Sequence, residues 1–197
     1  MIEQEKDGHV EIDLETLSTK PGGVIVSLGA VRFDPRLGRI QPYDELVEKG
    51  KTLKVILDIP DSKNYGFTIS KDTQEWWDLQ SQEAKDATFN TGKEVPVKLA
   101  LEKFAAFMRR GDCLWGNGAN FDPVMLEPYF DRLGMPLPWK FYKVMCFRTL
   151  KTLLPYNELL IPPNKIKHDC LADAVFQAQI TQAIYMQNPN IKPDKKD

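Results

Sequence analysis

Asp13 and Glu15 stand two residues apart in a stretch, 10–15, where Val10, Ile12 and Leu14 alternate with Glu11, Asp13 and Glu15. Such alternation predicts a strand, and the two-residue step puts both carboxylates on one face. Asp122 follows Phe121 and precedes Pro123, and Asp173 comes five residues after His168 near the C-terminal end. Phosphodiester hydrolysis by two Mg²⁺ or Mn²⁺ ions needs several acidic oxygens brought from different elements. The ions sit roughly 3.5–4 Å apart and stabilise the attacking and leaving oxygens together. The reaction also needs a base for the water with a pKa near neutrality, which histidine provides. Asp-x-Glu, a later Phe-Asp and a terminal His-x-x-x-x-Asp, in that order, supply every part.

Each member also has a plainer reading. Glu11, Asp13 and Glu15 fit the wet face of an amphipathic strand. Asp122 before a proline is a good helix N-cap. Asp173 suits the first turns of a helix, where the dipole favours an anion. His168 fits a cap or a surface residue, and His9 has only that reading. Position argues for the set. A first strand followed at once by an apolar second strand tends to become central, with both faces covered. Like charges side by side there are costly unless cations hold them. Residues 115–121, Trp-Gly-Asn-Gly-Ala-Asn-Phe, carry two glycines and two asparagines that let backbone approach something closely. A strand end running into a helix N-terminus is also where α/β proteins place sites.

The elements that must position these residues follow from periodicity and punctuation. A turn over 18–23 contains Pro21-Gly22-Gly23, and 24–34 predicts a second strand. Residues 43–49 predict a third strand, completing an antiparallel meander, and 50–70 a loop. Helices are predicted over 71–89 and over 95–110, the second with Leu99, Phe104 and Phe107 on its apolar face. A short buried strand is expected over 113–115. A helix then opens with Asp122 at the N-cap and Pro123 first inside, and Gly134 ends it. A further helix is expected over 144–154, a loop over 161–167, and a last helix over 169–187 with Leu171, Ala174, Val175 and Ala178 on its apolar face. Three strands, helices, a strand and more helices predict an α/β or α+β layered domain, a mixed sheet flanked by helices. One domain over 1–188 and a polar tail over 189–197 are expected.

Gross composition bounds the function classes. A chain of 197 residues with 42% hydrophobic and 27% charged residues suits one globular domain and argues against disorder along its length. The formal charge of −2 argues against a purely electrostatic nucleic-acid binder, though a carboxylate-rich site lowers the count and leaves room for a local basic groove. Cys113, Cys146 and Cys170 form no C-x-x-C pair, so neither a disulfide framework nor a zinc knuckle is indicated, and a reducing cytoplasm is the simple reading. Residues 1–10 are polar, unlike a signal peptide, and the most apolar run, 24–31, is far too short to span a membrane.

The three motifs resemble those of the DEDD exonuclease superfamily, in its histidine-bearing branch. Ile12-Asp13-Leu14-Glu15-Thr16 matches the first, Asn117-Gly118-Ala119-Asn120-Phe121-Asp122 the second, and His168-Asp169-Cys170-Leu171-Ala172-Asp173 the third. The tyrosine branch would carry Tyr at position 169, which is Asp. Further runs resemble the subfamily that includes phage exonuclease A and a mycobacterial exoribonuclease: residues 12–19, Glu75-Trp76-Trp77, Leu114-Trp115-Gly116-Asn117-Gly118, Pro138-Trp139-Lys140-Phe141 and Phe147-Arg148-Thr149-Leu150-Lys151. The likeness runs from about residue 10 to 183. In many relatives the second-motif asparagine stands four residues before the Asp, whereas Asn117 stands five before it. Cys170 takes the place of a common alanine and is not read as catalytic.

The resemblance implies a ribonuclease-H-like sheet, nucleoside 5′-monophosphate products and dependence on two Mg²⁺ or Mn²⁺ ions. It implies that Asp13, Glu15, Asp122 and Asp173 are metal ligands and that His168 activates water. One ion would lie with Asp13, Glu15 and Asp173, the other mainly with Asp13, helped by Asp122. It further implies that Thr16 and Leu17 meet the terminal nucleotide, Leu17 as a wedge at its base. Asn117, Asn120 and Phe121 of the second motif join the expected substrate-binding set. Trp76 and Trp77, adjacent on a helix, have a plainer reading as one core residue and one helix-packing residue. If one of the two stacks on a base, a contact worth about 1–3 kcal/mol that tolerates any sequence, Trp77 is the candidate, with the choice between them open. Arg148, Lys151, Arg109 and Arg110 are candidate phosphate contacts. The expected partner is the 3′ end of single-stranded DNA or RNA, with no membrane; many relatives form a homodimer, but no feature here compels one. Three rivals stay open: a phosphodiesterase of short oligonucleotides or nucleotides, a relative that binds 3′ ends without cleaving, and a structural adaptor whose carboxylates only cap and solvate.

Overall fold

The structure, a computed structural model, describes residues 8–191 except 90 and 165. Of the expected polar tail, residues 192–197 lie outside the described residues, as do residues 1–7 at the other end. The first three strands, β1 His9–Thr16, β2 Ile25–Phe33 and β3 Thr52–Leu57, form an antiparallel meander. β4 Glu94–Val95 joins β3 in parallel, β5 Cys113–Gly116 joins β1 in parallel, and β6 Val144–Cys146 joins β5 in parallel. The order β4-β3-β2-β1-β5-β6 makes β1 an interior strand, as its apolar successor predicts. The helices are α1 Tyr43–Leu46, α2 Ile59–Asn64, α3 Lys71–Asp78, α4 Gln82–Thr88, α5 Val97–Phe107, α6 Asp122–Arg132, α7 Phe147–Leu153 and α8 Cys170–Gln187.

Alternation along β1 divides the molecule into two cores. Val10, Ile12 and Leu14 pack with Leu101 and Phe104 of α5 and with Met125, Leu126 and Phe130 of α6. On the other face, Val31 of β2 and Trp115 of β5 pack with Ala174, Val175 and Ala178 of α8. Glu11, Asp13 and Glu15 point to that second face. The wet-face reading therefore fails: Glu11 is fully buried and Glu15 is 6% exposed, because α8 lies across β1 and β2.

Several expected elements are corrected. Residues 43–46 are helical, not a strand: Pro42 precedes them and Asp44 and Glu45 sit in the first turn, where the dipole favours acids. The third strand falls instead at β3, within the stretch expected to be loop; Leu53, Val55 and Leu57 alternate there beneath the polar Thr52 and Lys54. The helix expected over 71–89 breaks into α3 and α4, where the Ser81 hydroxyl accepts the N–H of Ala84 and starts a new helix. The helix expected over 95–110 is shorter, since Val95 pairs in the sheet. Its buried face is Val97, Ala100, Leu101 and Phe104, while Leu99 is 40% exposed. Residues 144–146 form an edge strand before α7 rather than its first turn. Asp122 is the first helical residue of α6, with Phe121 at the N-cap.

Candidate active site

The carboxylates meet at the C-terminal end of β1. Asp13 and Glu15 come from the strand itself. Asp122 arrives on the first turn of α6, directly after β5, which runs parallel to β1. β5 pairs with β1 only as far as Ile12, so the Leu14 N–H is free to hydrogen-bond Asp122, as does the Asn117 N–H. Gly116 makes room for this carboxylate: a Cβ there would stand 2.9 Å from Asp122 Oδ2.

α8 brings the remaining two groups. Asp169 caps it by accepting the N–H groups of Leu171 and Ala172 at 3.0 and 3.2 Å, which sets Asp173 in its first turn. Gly29 of β2 faces Asp13 across the ladder, and any side chain there would collide with the backbone of Cys170 and Leu171. The start of α8 can therefore lie against the sheet only because position 29 has no Cβ. Asp173 accepts the His168 N–H through Oδ2 at 2.8 Å and the Asn164 amide through Oδ1. His168 holds φ at +63°, a left-handed conformation that costs a non-glycine residue about 1–2 kcal/mol. The outcome is that Glu15, His168 and Asp173 offer ligand atoms that all lie within 4.8 Å of one another.

The electrostatics of the site are those of too much negative charge in too little water. Burial pushes Asp13 well above the usual carboxylate range, and the charges of Asp122, Glu15 and Asp173 push it further. Glu15 is pushed up to about 8 by burial and then by Asp173, Asp169 and Asp122. Asp122 is pushed up to about 7 by burial, against the pull of its backbone hydrogen bonds and of Arg148. Asp173 is raised by burial, against hydrogen bonds from His168 and Asn164. Asp122 Oδ2 is buried and has no hydrogen-bond partner among the described residues. Oxygen donors that mutually repel, with one of them orphaned, fit hard divalent cations. Glu11, one step back along the same face, is fully buried with both oxygens unpartnered among the described residues, and burial likewise raises it.

A cavity of about 660 Å³ opens beside Glu15, lined among others by Leu14, Thr16, Lys20, Trp76 and Phe121. The tryptophan expectation is corrected here. Trp77 is 4% exposed and donates its indole N–H to the Thr16 carbonyl at 2.9 Å, so it has no free face for a base. Its neighbour Trp76 is 42% exposed, lines the cavity and sets its ring edge-on to His168 at 5.0 Å. Leu17 is corrected likewise: at 6% exposure it is packed in the core beneath the turn and presents no wedge. Thr16 lines the cavity with its hydroxyl donated to the Ser18 carbonyl. Asn117 has its carbonyl held by Arg148 at 2.7 Å, and Asn120 is exposed just before Phe121. Arg109 and Arg110 precede β5, whose first residue pairs with His9, so they lie at the end of the sheet away from the carboxylates.

Sequence reasoning missed Gly29, Asn164 and Gln177, and marked Gly116 only as part of the glycine-rich run 115–121. Gly29 and Gly116 act by lacking a side chain. Asn164 holds Asp173. Gln177, buried on α8, donates its amide to Asp13 Oδ1 at 2.8 Å. Its place one turn past Asp173 on the same helix is the one signal that periodicity offered.

The family model described as the 3′-5′ exoribonuclease Rv2179c-like domain matches residues 8–185. The chain is 27% identical over 123 residues to the exodeoxyribonuclease of Enterobacteria phage T4, a match covering 59% of this chain and 53% of that protein. The chain thus spans about half the length of the curated relative it matches. Among solved structures, the nuclease domain of 3′hExo, described as a DEDDh family member bound to rAMP, superposes with a TM-score of 0.59 at 13% identity. That superposition covers 98% of this chain and 99% of the other, so the mixed sheet flanked by helices is the ribonuclease-H-like fold that the motifs imply. Among the described residues no helix is long and apolar enough to cross a membrane.

Proposed function

The chain belongs to the 3′-5′ exoribonuclease Rv2179c-like domain family, and from that footing we propose that it is a metal-dependent 3′→5′ exonuclease. It hydrolyses phosphodiester bonds from the 3′ end of single-stranded DNA or RNA and releases nucleoside 5′-monophosphates. The observation that carries this reading is the convergence of Glu15, His168 and Asp173 within 4.8 Å, beside Asp13 and Asp122, with the charges of Asp122 and Asp173 raising the proton affinity of Asp13 and Glu15.

Two Mg²⁺ or Mn²⁺ ions suit these donors, one with Asp13, Glu15 and Asp173 and the other with Asp13 and Asp122. When bound, they supply charge stabilisation of the attacking and leaving oxygens. His168 takes the proton of the attacking water onto its imidazole; the water oxygen bonds to phosphorus as the bond to the 3′-oxygen of the shortened strand breaks. Trp76 and Phe121 offer the terminal base an apolar seat, with Thr16 beside them. Arg148, with Asn117 and Asn120 nearby, meets the phosphate side. Cys113, Cys146 and Cys170 form no disulfide among the described residues, which suits a reducing cytoplasm.

The test is product analysis with a variant. A single-stranded oligonucleotide incubated with Mn²⁺ should yield nucleoside 5′-monophosphates, and His168→Ala should lower kcat by about 10²–10⁴-fold while Mn²⁺ binding by calorimetry persists. Products bearing 3′-phosphates, or unchanged turnover in His168→Ala, would overturn the chemistry assigned.

A further inference from the structure

His168 stands in a conformation that its own backbone disfavours, so its neighbours must fix it. Its N–H is held by Asp173. Its carbonyl accepts the hydroxyl of Thr88 at 3.1 Å, the last residue of α4, which is 1% exposed. The next residue, Asp169, divides its carboxylate: Oδ1 caps α8, and Oδ2 accepts the Lys54 ammonium of β3 at 2.7 Å. The same ammonium donates to the Ala87 carbonyl at 3.3 Å. Lys54 therefore ties the end of α4 to the cap of α8, and His168 sits in the joint between them. The side chains of Lys54 and Asp169 are 28% and 14% exposed, so water and salt screen the pair less than an open surface pair. Neither Lys54 nor Thr88 lines the cavity beside Glu15.

We propose that Lys54 and Thr88 are positioning residues for His168: Thr88 fixes its peptide plane, and Lys54 fixes the helix cap that follows it. This rests on the reading of His168 as the base. Neither residue touches substrate in this account, so each should act on turnover and not on substrate affinity. A small displacement of a reacting group is enough to cost a large factor in rate.

The experiment pairs isosteres with conservative rescues. Thr88→Val keeps the shape and removes the hydroxyl, and Thr88→Ser restores it. Lys54→Met and Lys54→Arg do the same for the ammonium. With a single-stranded oligonucleotide and saturating Mn²⁺, Thr88→Val and Lys54→Met should each lower kcat about tenfold with KM unchanged, and the two rescues should recover most of it. In a His168→Ala background, Thr88→Val should cost nothing more, with Tm followed throughout to keep every assay on folded protein. Equal losses from Thr88→Val with and without His168 would overturn the proposal while leaving His168 as the base, and so would a rise in KM alone. A His168→Ala protein with full turnover would instead remove the base on which the proposal rests, and the proposal with it.

Discussion

Gly29 and Cys170 are in contact that no side chain at position 29 would permit: a Cβ on Gly29 would overlap the Cys170 carbonyl group. The sheet and the start of α8 meet there, directly opposite Asp13. The distance between the two halves of the site is thus set by an absent methyl group.

Gly29→Ala should push the start of α8 off the sheet and carry His168 and Asp173 with it. Overpacking of this kind costs about 1–3 kcal/mol, so the variant should fold with a lowered Tm and lose most of its exonuclease rate. Kinetics alongside thermal unfolding decide the matter. A variant with wild-type turnover would show that the approach of α8 does not set the site.

The adjacent tryptophans should separate cleanly. Trp76→Ala leaves the core intact and removes a base-stacking face, so KM for a single strand should rise by about tenfold at unchanged Tm, in keeping with 1–3 kcal/mol per stacked base. Trp77→Ala opens the core and frees the Thr16 carbonyl, and should cost about 3–5 kcal/mol of stability. The reverse pattern would return the stacking role to Trp77.

The repelling carboxylates make a prediction about pH. In the metal-free chain, burial and neighbouring carboxylates raise Glu15 from 4.5 to about 8, and burial raises Asp122 from 3.8 to about 7. The folded state then holds protons that the unfolded state has lost, so this contribution is present below the unfolded values and disappears as pH rises through the folded ones. Tm of the chelator-treated protein should fall as pH goes from 4.5 to about 8. Glu45, held down to about 2 by Arg39, titrates below this window and leaves it clear. Added Mn²⁺ should raise Tm most at the upper end, where the carboxylates are ionised and ready to bind it. A Tm that climbs across the window without metal would contradict the electrostatic account.

How far the sequence speaks depends on whether the information is local. β1, β2, β5 and α8 are legible because alternation or long apolar periodicity marks them, and the carboxylates are legible because their types and order are chemically demanding. β3 was hidden by Thr52 and Lys54, which make a half-covered strand look like loop. α4 and β6 were absorbed into longer helices because a single serine cap or a three-residue edge strand barely alters a periodicity. Gly29 was not legible as a site residue, because its partner Cys170 is distant in the chain; Gly116 showed only as one glycine of the run 115–121, and Gln177 only as a residue one turn past Asp173. Trp76 and Trp77 could not be told apart without the rotation of α3 about its axis, which the fold alone fixes.

The most direct test of the central claim is a gel assay on 5′-labelled single-stranded DNA and RNA of one sequence, run with Mn²⁺, with EDTA, and with Asp13→Ala. The account predicts a ladder that shortens from the 3′ end with Mn²⁺ and vanishes with EDTA and in the variant, and the faster strand identifies the preferred sugar. Intact strands with Mn²⁺, or equal shortening by Asp13→Ala, would contradict it.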